Sequence, residues 1–154
     1  MQKQVIGRSS QISEPAWLDL ENEAAVEVTS EHPGRPIESA LRPGSKAGWL
    51  AADPGPQIIR LIFNQPQHVS RVRLKFTETE TERTQEFVLR WASDRSRSPQ
   101  EILRQQWNFS PHGSTTEVED YRVNLEQVVV LELDLNADVS GREAFASLDE
   151  FRVA

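Results

Sequence analysis

Gln85-Glu86-Phe87-Val88-Leu89-Arg90-Trp91-Ala92-Ser93-Asp94 is the stretch on which the fold turns. Phe87, Leu89 and Trp91 fall on one face of a period-2 strand, and Glu86, Val88 and Arg90 on the other. Aromatic and β-branched residues suit a pleated, half-buried surface, and Ser93-Asp94 ends the run with turn formers. Each large apolar side chain on that face stabilises by roughly 1.5–3 kcal/mol if fully enclosed. Such a face requires others packed against it.

Those faces lie on both sides of it in the chain. Val72, Leu74 and Phe76 alternate with Arg71, Arg73 and Lys75 over Val69–Phe76. Ile59, Leu61 and Phe63 alternate with Ile58, Arg60 and Ile62 over Gln57–Phe63. The gap between these two runs, Asn64-Gln65-Pro66-Gln67, has the length of a hairpin turn. Further upstream, Ala24, Val26 and Val28 form a short β-leaning run. It is followed by the loop Ser30–Pro36, a single helical turn at Ile37–Leu41, and breakers at Arg42-Pro43-Gly44-Ser45 and Asp53-Pro54-Gly55-Pro56. Downstream, Glu101–Phe109 brings Ile102, Leu103, Trp107 and Phe109. Glu117–Val123 reads as an edge strand with Val118, Tyr121 and Val123. Val128–Leu135 places Val129, Leu131, Leu133 and Leu135 on one face, and Ser147–Val153 is the last strand. No run has the length and 3.6 period of a substantial helix. Short strands joined by Gly/Pro-rich loops predict an all-β, antiparallel sandwich.

The chain has 154 residues, which suits one domain over 17–154 preceded by a flexible N-terminal arm over 1–16. It contains no cysteine, so disulfides and thiolate metal sites are excluded. Lys and Arg total 17 against 24 Asp and Glu, a net charge of −7 that argues against nonspecific nucleic-acid or anionic-lipid binding. The N-terminus lacks the apolar core of a signal peptide, and no stretch approaches the ~18 apolar residues of a membrane span. A cytoplasmic location is the expectation. Catalytic signatures are missing: His32, His68 and His112 are far apart, and no nucleophile elbow, phosphate loop or dinucleotide fingerprint occurs. The chain is expected not to be an enzyme.

The order of these features resembles the galactose-binding-like jelly roll, the discoidin or coagulation-factor type C superfamily. An alanine-rich strand leads into a serine and a loop at Ala24–Ser30, and Trp49 follows an irregular stretch. Gln57-Ile58-Ile59-Arg60-Leu61-Ile62-Phe63 and Glu86-Phe87-Val88-Leu89-Arg90-Trp91-Ala92-Ser93-Asp94 match two characteristic strands. Gln106-Trp107-Asn108-Phe109 and Leu148-Asp149-Glu150-Phe151 complete the series. The segment Gln105–Pro111 with Glu119-Asp120-Tyr121 is similar to a bacterial branch described as carbohydrate-binding. The resemblance runs from about Ala24 to Val153. It implies a galactose-binding-like β-sandwich whose ligands sit on loops at one end.

The loop residues with suitable chemistry are His32, Arg35, Arg42, Lys46, Arg83, Asn108 and His112. Trp49, Trp107 and Tyr121 are the candidate aromatic plates for a sugar ring. The expected ligand-binding set is His32, Arg35, Arg42, Trp49, Trp107, Asn108 and His112. The structural alternative for each is plain: both tryptophans serve equally as core or loop-base anchors. Many members of the superfamily carry a calcium loop where Arg42-Pro43-Gly44-Ser45-Lys46 stands here, and two cations disfavour that ion. Glu150 matches the C-terminal calcium ligand, but one ligand is not a site, and no cofactor is expected. Arg71, Arg73 and Lys75, with Arg60 and Arg90, could form a basic stripe for an anionic partner. A sheet face paired to Glu132, Asp134 or Glu86 accounts for them as well. Two functions follow as expectations: carbohydrate binding through the loops, or protein interaction and homo-oligomeric assembly on the same fold.

Overall fold

A computed structural model of the chain describes residues 16–154 together with Gln2. The arm expected over 1–16 therefore lies, apart from Gln2 and Ala16, outside the described residues. A four-residue helix α1 (Leu20–Glu23) leads into β1 (Ala24–Val28), and a second single turn, α2 (Glu38–Leu41), precedes the short β2 (Trp49–Leu50). The main strands are β3 (Gln57–Thr77), β4 (Arg83–Ala92), β5 (Gln100–Phe109) and β6 (Thr116–Asn136). Two short strands, β7 (Ser147–Leu148) and β8 (Glu150–Val153), close the chain.

β3 and β6 each run for 21 residues, and they organise everything else. The first half of β3 pairs with β1 on one side and with the second half of β6 on the other. β4 and β5 continue this layer, so its order is β1-β3-β6-β4-β5. The second half of β3 pairs with the first half of β6 and with β8, making a three-stranded layer. The two layers meet through their apolar phases: Phe76 of the small layer stacks on Phe87 of the large one at 5.5 Å, and Tyr121 meets Phe87 edge-on at 6.5 Å. This is the antiparallel β-sandwich that the alternation predicts.

The expected hairpin between Gln57–Phe63 and Val69–Phe76 does not form. Both runs belong to one strand, and each pairs with β6 rather than with the other. The register moves from Ile62↔Val130 to Gln67↔Val128, so the residues between them bulge out of the ladder. Pro66, which has no N–H to donate, sits in that exposed bulge, and β6 bends alongside it at Gln127, whose φ is 59°. The break that looks like a turn in sequence is the corner where the strand passes between layers. The run Glu117–Val123 lies at the edge of the small layer, as the first half of β6. Tyr121, Val123 and Leu125 pack inward, which exposes Val118 and buries Glu117. The expected final strand also divides, β7 pairing with β2 and β8 with β3.

The antiparallel pairings place the long loops at one end. Val28, Gln57, Thr77, Arg83, Phe109, Thr116 and Asn136 all end or begin their strands there. The segments 29–56, 78–82, 110–115 and 137–146 therefore gather around one rim.

Candidate functional site

Three of these segments enclose a cleft of about 810 Å³, within the roughly 300–1,000 Å³ usual for ligand sites. Its base is zipped together by backbone hydrogen bonds. Ala51 N donates to Ala146 O at 2.9 Å and Gly55 N to Ala144 O at 3.0 Å, beside the β2–β7 pair. Above it the turn His32–Arg35 is pinned to β2: His32 N donates to Leu50 O at 2.8 Å and Leu50 N to Arg35 O at 3.2 Å. Gly48, at φ 70°, presses this segment onto the β7–β8 junction. A Cβ there would stand 2.7 Å from Leu148 O and 2.8 Å from Asp149 Cα, so only glycine fits.

The opposite wall is the loop after β3, and Glu78 holds its shape. One carboxylate oxygen accepts from Arg83 Nε at 2.8 Å, and the other accepts from Glu80 N at 3.2 Å and Thr81 N at 3.3 Å. Arg83 is itself enclosed, donating to Gln85 Oε1 and Ala137 O and lying 4.8 Å over the Phe109 ring. The wall facing the ligand space is therefore organised by a buried cation behind it. Asp149 crosses between the walls. Its Oδ2 accepts from the Thr77 hydroxyl at 2.5 Å, and its Oδ1 lies 3.9 Å from Arg35 Nη2.

The cleft is thus mostly polar. Arg35 and Lys46 supply donors, while Glu80, Glu143 and Asp149 supply acceptors. Phe145 stands on the wall as the one aromatic among the large apolar side chains left exposed in the described residues, at 39%. Charged hydrogen-bonding groups thus stand beside one aromatic face. Among the described residues no three His, Asp or Glu side chains cluster to hold a metal ion. No helix among them is long and apolar enough to cross a membrane.

Of the seven expected ligand residues, Arg35 lines this cleft, as does Lys46 from the wider group. His32 shares the turn with Arg35 but is exposed, its Nδ1 accepting from Gly34 N at 3.0 Å. Trp49 is fully buried and its Nε1 donates to Ser30 O at 3.0 Å, so it anchors the loop base and offers no plate. Arg42 lies at the end of α2, away from the cleft lining, and pairs with Glu21 at 2.6 Å. Trp107 is half-buried on β5 opposite Gln85 and packs on the core. Asn108 accepts from the Thr84 hydroxyl at 2.7 Å, and His112 is exposed in the turn that follows. That turn lies behind the cleft, joined to it where Glu78 N donates to Thr115 O at 2.8 Å. Arg83, read as a loop residue, is interior, and Tyr121 faces inward with its hydroxyl on Glu119 at 2.8 Å. Glu150 faces Arg73 Nε at 3.5 Å, so a cation rather than other carboxylates stands beside the expected calcium ligand.

Thr77, Glu80, Glu143, Phe145 and Asp149 were not expected at the site. Thr77, Glu80 and Glu143 sit in stretches that read as plain solvated loops, Phe145 just before the run read as the last strand and Asp149 within it, and only the corner in β3 brings the 78–82 loop back to the end where 143–149 arrives.

No family model matches the sequence, and no curated protein matches it. Solved structures do. The family 32 carbohydrate-binding module of AlyQ, in complex with 4,5-unsaturated mannuronic acid, superposes with a TM-score of 0.62 at 17% identity, covering 86% of this chain and 95% of that one. The family 32 module of C. perfringens NanJ, in complex with galactose, gives 0.59 at 18%, covering 88% and 96%. A family 32 module from a family 31 glycoside hydrolase of Clostridium perfringens gives 0.64 at 14%, covering 89% and 93%. The chain has the galactose-binding-like β-sandwich fold of these carbohydrate-binding modules.

Proposed function

We propose that the chain is a non-catalytic carbohydrate-binding module whose ligand site is the cleft between Arg35–Leu50, Thr77–Thr81 and Glu143–Asp149. The observation that carries this reading is Phe145, an exposed aromatic ring beside Arg35, Lys46, Glu80, Glu143 and Asp149, whose side chains donate or accept hydrogen bonds. A sugar presents an apolar C–H face and a rim of hydroxyls, and this wall complements both. The neighbouring modules with bound sugars make carbohydrate the first ligand class to test. The pinned Glu78 loop and the Gly48 contact hold the walls before a ligand arrives, which lowers the entropy lost on binding.

A glycan array probed with the purified chain tests this. The expected result is a reproducible saccharide hit that weakens in both Arg35→Ala and Phe145→Ala. A hit unaffected by either substitution would remove the site from this cleft. A blank array would favour the rival reading, a protein-interaction or assembly module, which light scattering and partner capture would then address.

A further inference from the structure

Glu78, which shapes one wall of the cleft, is the outer end of a line of polar side chains that runs into the interior. Arg83 Nε donates to Glu78 Oε1 at 2.8 Å, Arg83 Nη1 to Gln85 Oε1 at 3.1 Å, and Gln85 Nε2 to Glu117 Oε1 at 3.2 Å. Arg83, Gln85 and Glu117 are all buried, so a neutral amide separates an enclosed cation from an enclosed acid. Arg83 Nη2 and Glu117 Oε2 are enclosed too, and neither has a hydrogen-bond partner among the described residues. Such atoms are rare in a folded chain, and each calls for a reason. The charged and titratable groups that bear on Glu117 are Glu119 and Tyr121 of its own strand and Arg83 of β4, beyond which the line ends in Glu78. Its register partner on β3 is Phe76, and β5 sets Trp107 and Phe109 opposite Gln85 and Arg83. The Tyr121 hydroxyl donates to Glu119 Oε2 at 2.8 Å, which favours the charge on Glu119 and leaves the proton of the pair on Glu117. Burial, with the Glu119 carboxylate beside it, holds that proton up to about pH 8.

While Glu117 is neutral, Glu78 is the one carboxylate among the described residues that pairs with Arg83. Once Glu117 ionises, a second carboxylate stands one amide away from the same cation, in a low-dielectric interior where their attraction is strong. Arg83 Nη2 is the donor it can claim. We propose that the proton on Glu117 controls the cleft: its loss draws Arg83 inward, loosens the Arg83 grip on Glu78, and unpins the 78–82 wall that Glu78 holds through the Glu80 and Thr81 amides. The inference rests on the cleft being the ligand site and adds a regulation of that site. A ligand that needs the pinned wall binds tightly to the protonated chain and weakly to the ionised one. Linkage makes the effect reciprocal, so binding near the midpoint takes up protons from solution.

Carbon-detected NMR of the 13C-labelled full chain, without ligand and from about pH 6 to about pH 9, reads this relay directly. The Glu117 carboxyl carbon and the Cα signals of Glu80 and Thr81 are expected to move together, with one midpoint near 8. In Glu117→Gln, which keeps the shape and cannot ionise, the two Cα signals should stay flat over that range. Loop signals that stay flat while Glu117 titrates in the natural chain would overturn the proposal, and that result needs no variant. Loop signals that follow the same curve in Glu117→Gln would overturn it as well. Where the glycan array supplies a saccharide, its affinity should fall about fivefold between the ends of that range in the natural chain and hold steady in Glu117→Gln. An equal fall in both would overturn the control of the cleft. Loop signals that titrate with Glu117 in a chain that binds no saccharide would support the relay and overturn only the ligand reading of the cleft.

Discussion

Gln85 Nε2 donates to Glu117 Oε1 at 3.2 Å in the interior between the two layers, where Glu117 is fully buried. Burial is the main cause that pushes the Glu117 carboxyl from an ordinary 4.5 up to about 8, and the neighbouring Glu119 carboxylate adds to it, against the smaller pull of Gln85 and Arg83. Between those two values the folded chain keeps a proton that the unfolded chain has released. Stability therefore falls as pH rises from about 4.5 to about 8, by at most about 1.4 kcal/mol per pH unit from this group. Glu132, raised by burial as well, contributes in the same direction. Glu117→Gln keeps the shape without the ionisation, so its urea midpoint should lose less between pH 6 and pH 8 than that of the natural chain. Equal slopes in the two proteins would show that Glu117 ionises freely in the fold.

Arg83 joins the core to the cleft wall. Replacing it by alanine strands the Glu78 carboxylate, opens space over Phe109 and unpairs Gln85 and Ala137 O. Loss of one partner from a buried ion pair costs about 3–5 kcal/mol. Arg83→Lys should recover little of this, because one ammonium cannot serve Glu78, Gln85 and Ala137 from the separate nitrogens of a planar fork. Chemical denaturation of the two variants checks both statements. Near-natural stability in Arg83→Lys would mean that charge alone holds the wall.

Gly48 and Gly44 share nearly the same backbone, φ 70° and 74°, yet differ in surroundings. A Cβ at Gly44 meets nothing within 4 Å, while one at Gly48 collides with Leu148 O and Asp149 Cα. Gly44→Ala should cost only the left-handed penalty, about 1–2 kcal/mol. Gly48→Ala should cost clearly more and should also weaken any ligand of the cleft, since it moves Asp149. Equal melting temperatures for the two variants would remove the close approach from the account.

How much of this could be read from the chain depends on the residue. Phe87, Leu89, Leu131 and Leu133 announce their strands because side chains alternate with a period of 2 wherever one face is buried. Asn64–Gln67 misleads for an equally physical reason: a corner between layers and a hairpin turn both use polar residues and proline where the ladder is broken. Only the partner strand separates the two, and β6 is far away in sequence. Glu117 misleads because the phase of a short strand is set by its strongest apolar residues. Tyr121, Val123 and Leu125 outweigh Val118, and the glutamate is carried inside with them. At the site, Arg35 is legible as a cation in a Pro/Gly loop. Phe145 is not, since an aromatic between two alanines in a loop gives no sign of whether it faces the core or the solvent.

Phe145 accordingly gives the sharpest test of the cleft. It is exposed and lies outside the packed core, so Phe145→Ala should change the denaturation midpoint by no more than about 0.5 kcal/mol, as surface substitutions usually do. If a sugar ring lies on it, the same change removes one apolar wall and should lower affinity for a saccharide hit by about tenfold, the equivalent of about 1.4 kcal/mol. Phe145→Tyr keeps the ring face and should restore most of the binding. Arg35→Lys should not restore what Arg35→Ala loses, because the fork beside Asp149 can address two neighbouring hydroxyls and an ammonium presents a single point charge. An aromatic plate and a forked donor make different demands, so the two rescues answer different questions. Recovery in Phe145→Tyr with none in Arg35→Lys is the pattern of ring stacking beside bidentate hydroxyl recognition. Recovery in Arg35→Lys alone would make the cleft a charge site, and the ligand an anion.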